Sequence, residues 1–258
     1  MTTIATGSGR RAWEVAARAG YAASGLVHVL IGLLAVQLAV GGGSGSTDQT
    51  GAFSQIASTP FGAVTLWVSV VAFVALAAWQ AAAAVSGAAG DTGDRAKAGA
   101  KAAVYLALAV TAFGVLQGAG SSDGASSFTG RLMQAPGGRV LVALVGLGVL
   151  VVAAHHVRKG WRRTFLEDLR RLPAGPAGRW AERAGVVGYV AKGAALGVVG
   201  GLFVLAAFHA DPGEAGGLDA ALQTLRDAPA GPLLLGLVAV GLVAFGLYCA
   251  VRARFARM

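Results

Sequence analysis

Six stretches of the chain are long, apolar and almost free of charge, roughly 19–40, 61–85, 102–116, 140–157, 186–208 and 232–251. Most reach the ~20 residues with which a helix crosses ~30 Å of hydrocarbon. The third is short, and Lys101 must snorkel if it is to span. Inside lipid the backbone has to satisfy its own hydrogen bonds, so helices are the expected spanning form. Strand alternation is absent, which argues against a barrel. Composition agrees: 55% hydrophobic residues, 40 glycines, only 13% charged residues and a mean hydropathy of +0.65. A soluble domain carries about 25% charge. A disordered chain, a coiled coil and a disulfide scaffold are thereby excluded, and Cys249, the single cysteine, has no intrachain partner.

The loop charges predict orientation. Of the 21 Lys and Arg residues, 18 fall on one face and only Arg131, Arg139 and Arg226 on the other. The 12 carboxylates divide evenly, so one face carries +12 and the other −3. The asymmetry predicts that both termini and the loop 158–185 lie in the cytoplasm. Topology and attraction to anionic lipid headgroups account for the basic balance, and nucleic acid is not required as a partner. Arg10, Arg11 and Arg18 before an apolar run imitate a signal peptide. The run is longer than a typical signal core and has counterparts later in the chain, so it is read as a first span.

Those counterparts form a threefold internal repeat. Gly20-Tyr21-Ala22-Ala23-Ser24-Gly25 matches Gly188-Tyr189-Val190-Ala191-Lys192-Gly193, and Gly32 falls opposite Gly200. A weaker middle copy sets Lys101-Ala102 where Ser24-Gly25 and Lys192-Gly193 stand. Pro60-Phe61-Gly62, Pro136-Gly137-Gly138 and Pro229-Ala230-Gly231 each open an even-numbered span, where proline suits a helix's first turn. Segments just before them, such as 218–225, are expected as small external helices. Nineteen positions after each proline come Trp79, His155 and Tyr248, rings expected at the cytoplasmic interface. Each copy is thus a pair of helices joined by a polar external loop, and parallel copies suggest a pseudo-three-fold bundle.

Three two-helix units, each beginning near an R/K-x-G-Y/K-x-A-x-G/A pattern and carrying P-x-G before its second helix, resemble the DUF1206 family of bacterial membrane proteins. The likeness runs from about Glu14 to Arg254. It implies a multi-pass protein of the bacterial cytoplasmic membrane and carries over no catalytic residue. The expected fold is all-α and polytopic, with six transmembrane helices in three pseudo-equivalent repeats. The first repeat covers residues 14–86, the second 95–160 and the third 180–254. An amphipathic cytoplasmic linker is expected over 161–179.

Candidate residues follow from the repeat columns. Ser24 and His28, Lys101 and Tyr105, and Lys192 share equivalent helix faces and are candidates to line a cytoplasmic vestibule. Gly25, Gly32, Gly193, Gly197 and Gly201 are candidates for close helix packing. His28, ~12 Å into its helix at 1.5 Å per residue, is the one imidazole placed to bind haem or a metal. No Met, Cys or carboxylate at that depth completes a ligand set, so no cofactor and no metal is expected. No carboxylate lies within a span, which counts against ion-coupled transport.

In residues 161–172, Trp161, Phe165, Leu166, Leu169 and Leu172 alternate with Arg162, Arg163, Arg170 and Arg171. That pattern predicts an amphipathic helix lying in an anionic interface. Familiar catalytic signatures are missing, including GxxxxGK[ST], HExxH, CxxC and GxSxG. The expectation is a non-enzymatic envelope structural or interaction protein, with an unspecified protein partner left open. Passive permeation or small-solute or lipid transport through the bundle is the alternative, and a haem or redox protein a remoter one.

Overall fold

A computed structural model describes residues 5–41, 47–86, 91–118, 123–170 and 175–256, without the side chains of 5–17, 19 and 123–128. The described residues fold into helices: α1 (Ala5–Ala39), α2 (Gln49–Ala57), α3 (Gly62–Ser86), α4 (Thr92–Leu116), α5 (Asp123–Gln134), α6 (Gly138–Trp161), α7 (Pro176–His209), α8 (Gly217–Asp227) and α9 (Gly231–Phe255). Six of them, α1, α3, α4, α6, α7 and α9, are long and apolar enough to cross a membrane. The protein is an all-α, multi-pass membrane protein. The third span is longer than its apolar core suggests, because Asp91 caps α4 by accepting from the Asp94 N–H at 2.8 Å.

Many large aliphatic side chains face outward, while alanines hold many of the completely buried places beside Leu66, Phe165, Leu235 and Tyr248. Val64, Val68 and Val71 on α3, Leu144, Leu147 and Val151 on α6, and Leu233, Leu237 and Val240 on α9 are all exposed. Ala35, Ala52, Ala112, Ala206, Ala221 and Ala239 are completely buried. A chain folding in water would bury the valines and leucines, whereas lipid solvates them as well as a protein core does.

The helices form two compact units, Met1–Thr47 with Ser122–Met258, and Asp48–Ser121. In the first unit α1 packs along α9, α6 along α7, and α7 along α9, while α8 rests on α7 and α9 and α5 on α6. In the second, α3 packs along α4 and α2 touches both. The intimate pairs α3/α4, α6/α7 and α9/α1 therefore join the second span of one copy to the first span of another.

Two of these pairs share one crossing geometry. A Cβ placed on Gly25 would lie 2.8 Å from the Gly246 carbonyl oxygen, and one on Gly193 would lie 2.8 Å from that of Ala153, its repeat equivalent. One on Gly32 would lie 2.9 Å from the oxygen of Ala239, and one on Gly200 would lie 2.9 Å from that of Gly146. Each α1 crossing has its counterpart on α7, two helical turns apart along the helix. The α3/α4 pair has Ala102, Ala109 and Ala77 at corresponding places, the last two buried. Gly197 makes only ordinary contact, 4.0 Å to the Ala153 Cβ. Gly201 departs from the expected packing role. A Cβ there would meet nothing within 4 Å, since one position beyond Gly200 turns it away from α6.

The P-x-G marks have a steric cause. The short helices α2, α5 and α8 each end just before one, and a Cβ on Gly62, Gly138 or Gly231 would strike the carbonyl oxygen of Ile56, Leu132 or Arg226. Each short helix thus folds back against the start of the span it precedes. Asp219 of α8, itself buried, accepts the Thr47 N–H at 2.6 Å and the Gln223 amide at 2.8 Å. Arg139 at the start of α6 donates to the Ala207 carbonyl oxygen at 3.1 and 3.2 Å and to that of Phe208 at 3.1 Å, at the end of α7.

Residues 161–170 correct the expected amphipathic helix. α6 ends at Trp161, Arg163 adopts a left-handed conformation at φ 58°, and a single 3₁₀ turn follows at Thr164–Asp168. Leu169 bridges Ala256, and the Arg170 N–H donates to the Phe255 carbonyl at 2.8 Å. Phe165 and Leu169 are buried in the protein's own core and do not face lipid. Residues 171–174, including Leu172, lie outside the described residues.

The crossings predict opposite outcomes for glycines on one helix. Gly193→Leu should lower stability by about 1–3 kcal/mol or more, because the α6 backbone must move. Gly201→Leu should be near neutral. Chemical unfolding in detergent micelles, followed by helical circular dichroism, distinguishes them, and equal effects would refute the packing assignment.

Candidate functional site

Ser24 and His28 lie one turn apart on α1, and the His28 Nδ1–H donates to the Ser24 carbonyl at 2.7 Å. The His28 ring packs 4.7 Å from that of Phe245 on α9. Lys192 of α7 reaches the same ring, its Nζ 4.3 Å from the centroid. Gly188 permits this, since a Cβ there would come within 2.5 Å of the Phe245 Cα. Three of the five candidate vestibule residues thus converge at the basic end of α1, α7 and α9, with Phe245 in contact with both His28 and Lys192. Lys101 and Tyr105 stand on α4 in the other compact unit, Lys101 exposed and Tyr105 partly buried.

Phe245 belongs to a buried aromatic cluster with Phe165, Tyr189 and Tyr248, flanked by Leu169 and Cys249. Phe165 stacks on Tyr189 at 5.4 Å, Tyr248 meets Phe165 edge-on at 5.1 Å, and Tyr189 meets Phe245 at 90° and 5.1 Å. Such edge-on and offset pairs are worth about 0.5–1.5 kcal/mol each beyond their burial. The Tyr248 hydroxyl donates to the Phe165 carbonyl at 3.0 Å, tying the 3₁₀ turn to α9. Small residues make the room: a Cβ on Gly185 would strike the Phe165 ring, and one on Gly160 would lie 2.9 Å from the Tyr189 Cβ.

Charges close the cluster at its outer end. Asp168 accepts from Lys159 at 2.7 Å and lies 3.1 Å from the Arg252 guanidinium. Arg252 also donates to the Tyr189 hydroxyl at 3.1 Å and covers the Tyr21 ring at 4.5 Å. One carboxylate therefore binds two cations from α6 and α9, a network that joins three segments distant in sequence.

The two Gly-Tyr motifs do different work. Tyr189 is buried inside the cluster, whereas Tyr21 is a partly exposed platform for Arg252. The ring column likewise diverges. Trp79 and His155 are exposed, but Tyr248 is completely buried, so it is a core residue and not an interfacial ring. Neither spacing nor periodicity points to Phe165, Asp168, Tyr189, Phe245, Tyr248 and Arg252 as one cluster. The usable signal is the strict pairing of Gly185, Gly188 and Gly160 with bulky rings elsewhere.

His28 and His156 each donate Nδ1–H to the carbonyl one turn back, Ser24 at 2.7 Å and Val152 at 2.8 Å, which leaves Nε2 as the basic atom. Among the described residues no group of three or more His, Cys, Asp and Glu side chains is arranged to hold a metal ion. The cluster's chemistry is that of a cation-rich, aromatic clamp.

The family model described as Domain of Unknown Function (DUF1206) matches the chain three times, at residues 19–87, 96–163 and 187–256. The chain belongs to the DUF1206 family. It is also similar to the "Uncharacterized protein YxxB" of Bacillus subtilis (strain 168), 28% identical over 251 residues, which cover 93% of this chain and 90% of that protein. No solved structure matches. Neither description names an enzymatic activity. The three family segments each end with the second span of a DUF1206 repeat, and the third holds every α7 and α9 residue of the cluster.

Asp168→Asn should destabilise this DUF1206 protein by about 1–2 kcal/mol, because Lys159 and Arg252 then face each other without their shared carboxylate. Tyr248→Phe should cost about 1 kcal/mol through the lost hydrogen bond. Unfolding midpoints in micelles measure both, and an Asp168→Asn midpoint equal to that of the unsubstituted protein would refute the network's role.

Proposed function

We propose that this DUF1206 protein is a non-enzymatic structural or interaction protein of the bacterial plasma membrane, with both termini and the arginine-rich helix ends in the cytoplasm. The observation that carries the reading is that charged groups around the aromatic cluster are engaged with it and with one another. Lys192 rests on Phe245, and Asp168 holds Lys159 and Arg252. The Gly25/Gly246 and Gly193/Ala153 contacts bring backbones together at the same level. Such an arrangement suits a rigid membrane body that presents a charged end. A catalyst would instead keep a nucleophile, a base and an orienting group available. The charge asymmetry supports the orientation, and anionic lipid headgroups are the natural counter-charge at the cytoplasmic face.

Permeation is the second reading, and the meeting of His28 and Lys192 at the Phe245 ring, with Ser24 one turn from His28, favours it. In that reading Phe245 is the plug. Reconstituted vesicles separate the two. The structural reading expects entrapped small ions and metabolites to leave no faster than from protein-free vesicles, both for the native chain and for Phe245→Ala. Flux that appears or rises in Phe245→Ala would overturn it. A cysteine placed at Ser44 should react with an impermeant thiol reagent on intact cells, and one at Arg254 should not. The opposite pattern would overturn the orientation.

A further inference from the structure

α7 is longer than a span needs. Its 34 residues extend about 51 Å at 1.5 Å per residue, against ~30 Å of hydrocarbon. The apolar run 186–208 reaches the far terminus of the helix, so the surplus falls at the basic end. There the helix is held by the protein. Pro176 opens it, where its missing N–H costs nothing. Gly178, Ala181 and Gly185 are buried along one face, and a Cβ on Gly185 would strike the Phe165 ring. Glu182 accepts from Arg163 at 2.7 Å, which ties the segment to the end of α6. The opposite face carries Arg179, Trp180 and Arg183, all exposed, with the Arg183 guanidinium 6.0 Å from the Trp180 ring.

Height separates Trp180 from an interfacial ring. A Cβ on Gly160 would lie 3.0 Å from the Val186 carbonyl oxygen, so Trp161 stands level with the edge of the apolar run. Headgroups favour tryptophan at that level. Trp180 comes six residues before Val186, about 9 Å farther out. Headgroups add only about 5–8 Å on each side of the hydrocarbon. Trp180 is therefore carried to their outer edge or past it, where lipid does not account for an exposed indole.

Charge decides what fits this face. Arg158, Arg162, Arg179 and Arg183 pair with no carboxylate among the described residues. Nearby, Glu182 is held by Arg163 and Asp168 by Lys159 and Arg252, which leaves Glu167 to offset four arginines. A second copy of the same face would set arginine against arginine. An acidic surface is the complement.

We propose that the outer face of the first turns of α7, centred on Trp180 with Arg179 and Arg183, docks an acidic, partly apolar segment of a protein partner. Tryptophan and arginine are the residues in which interfaces concentrate their binding energy. The buried inner face keeps them in place before the partner arrives, which lowers the cost of ordering on docking. The proposal rests on the reading of this chain as an interaction protein, and the partner's cytoplasmic location rests on the orientation given with it.

The test uses the full chain. In uncharged detergent micelles it selects from a phage-displayed library of random peptides, and the selected peptides are titrated by fluorescence anisotropy. The enriched peptides should be acidic and carry apolar residues. Trp180→Ala, or Arg179→Gln/Arg183→Gln, should weaken them about ten-fold or more, and Trp161→Ala less than about two-fold. Trp180→Phe keeps a ring and should fall between, and it replaces the alanine variant if that variant does not fold. In phosphatidylcholine–phosphatidylglycerol vesicles, brominated lipid tails should quench Trp161 far more than Trp180, each read from the signal lost in its Phe variant. No enrichment of acidic peptides, or equal weakening by Trp161→Ala and Trp180→Ala, would overturn the proposal. Equal quenching of both rings would overturn it by giving the face to lipid. A single-stranded oligonucleotide that displaces the peptides and needs the same residues would overturn it by giving the face to nucleic acid. Thiol labelling at positions 44 and 254 reads orientation separately, so a reversed orientation changes the partner's compartment and leaves the peptide result standing.

Discussion

Everything in the larger compact unit depends on how closely two helix backbones approach at Gly25, Gly32, Gly193 and Gly200. Lipid tails solvate leucine and valine as well as a neighbouring helix does, so no hydrophobic force draws these helices together. Cohesion must come from close packing, where each atom pair contributes only about 0.1–0.2 kcal/mol and many pairs are needed. A side chain at Gly25 would separate α1 from Gly246 and forfeit those contacts along the whole seam. The same closeness fixes register. Once Gly25 lies against Gly246, the levels of Phe245, Cys249, Arg252 and Arg254 relative to His28, Ser24, Tyr21 and Arg18 are set.

The threefold repeat reuses that solution and then departs from it at the helix ends. The seams of α1/α9 and α6/α7 correspond residue for residue, carbonyl against glycine. The α3/α4 seam uses alanine at the corresponding places, with Ala77 and Ala109 buried. At the basic end each pair does something different. Arg95 caps the last carbonyls of α3, Trp161 stands exposed at the end of α6, and Arg254 joins Arg18 and Arg170 around a cleft. Seams tolerate little change because their contacts are backbone to backbone. Ends face water or headgroups and are free to diverge, which is where individual chemistry arises.

The spans, the charge asymmetry and the Pro-x-Gly hairpins are legible in the amino-acid order, since each follows from local chemistry. The segment 161–172 misleads for an identifiable reason. Its apolar residues recur at helical spacing beside arginines, a pattern that describes a helix on lipid equally well as a turn tucked into a protein pocket. Periodicity reports which residues avoid water and says nothing of what covers them. Phe165 and Leu169 are covered by Tyr189, Tyr248 and the end of α9, contacts reached across many residues of chain. Tyr248 shows the same limit. Its repeat position matches Trp79 and His155, yet its neighbours differ, so its burial differs. Gly201 continues a packing ridge in sequence, but only one face of α7 touches α6.

By itself the sequence determined solvent, element and repeat: an apolar stretch of about 20 residues must be helical in oil, and the count of such stretches fixes the passes through it. Which helix seals against which was decided only by tertiary structure, because small residues line several faces and only packing selects among them. The same holds for the joining of Asp168 to Lys159 and Arg252, and for the placing of Arg18, Arg170 and Arg254 along one cleft. Charge position along a chain predicts the side of a membrane, whereas charge convergence depends on the angle at which separate helices end.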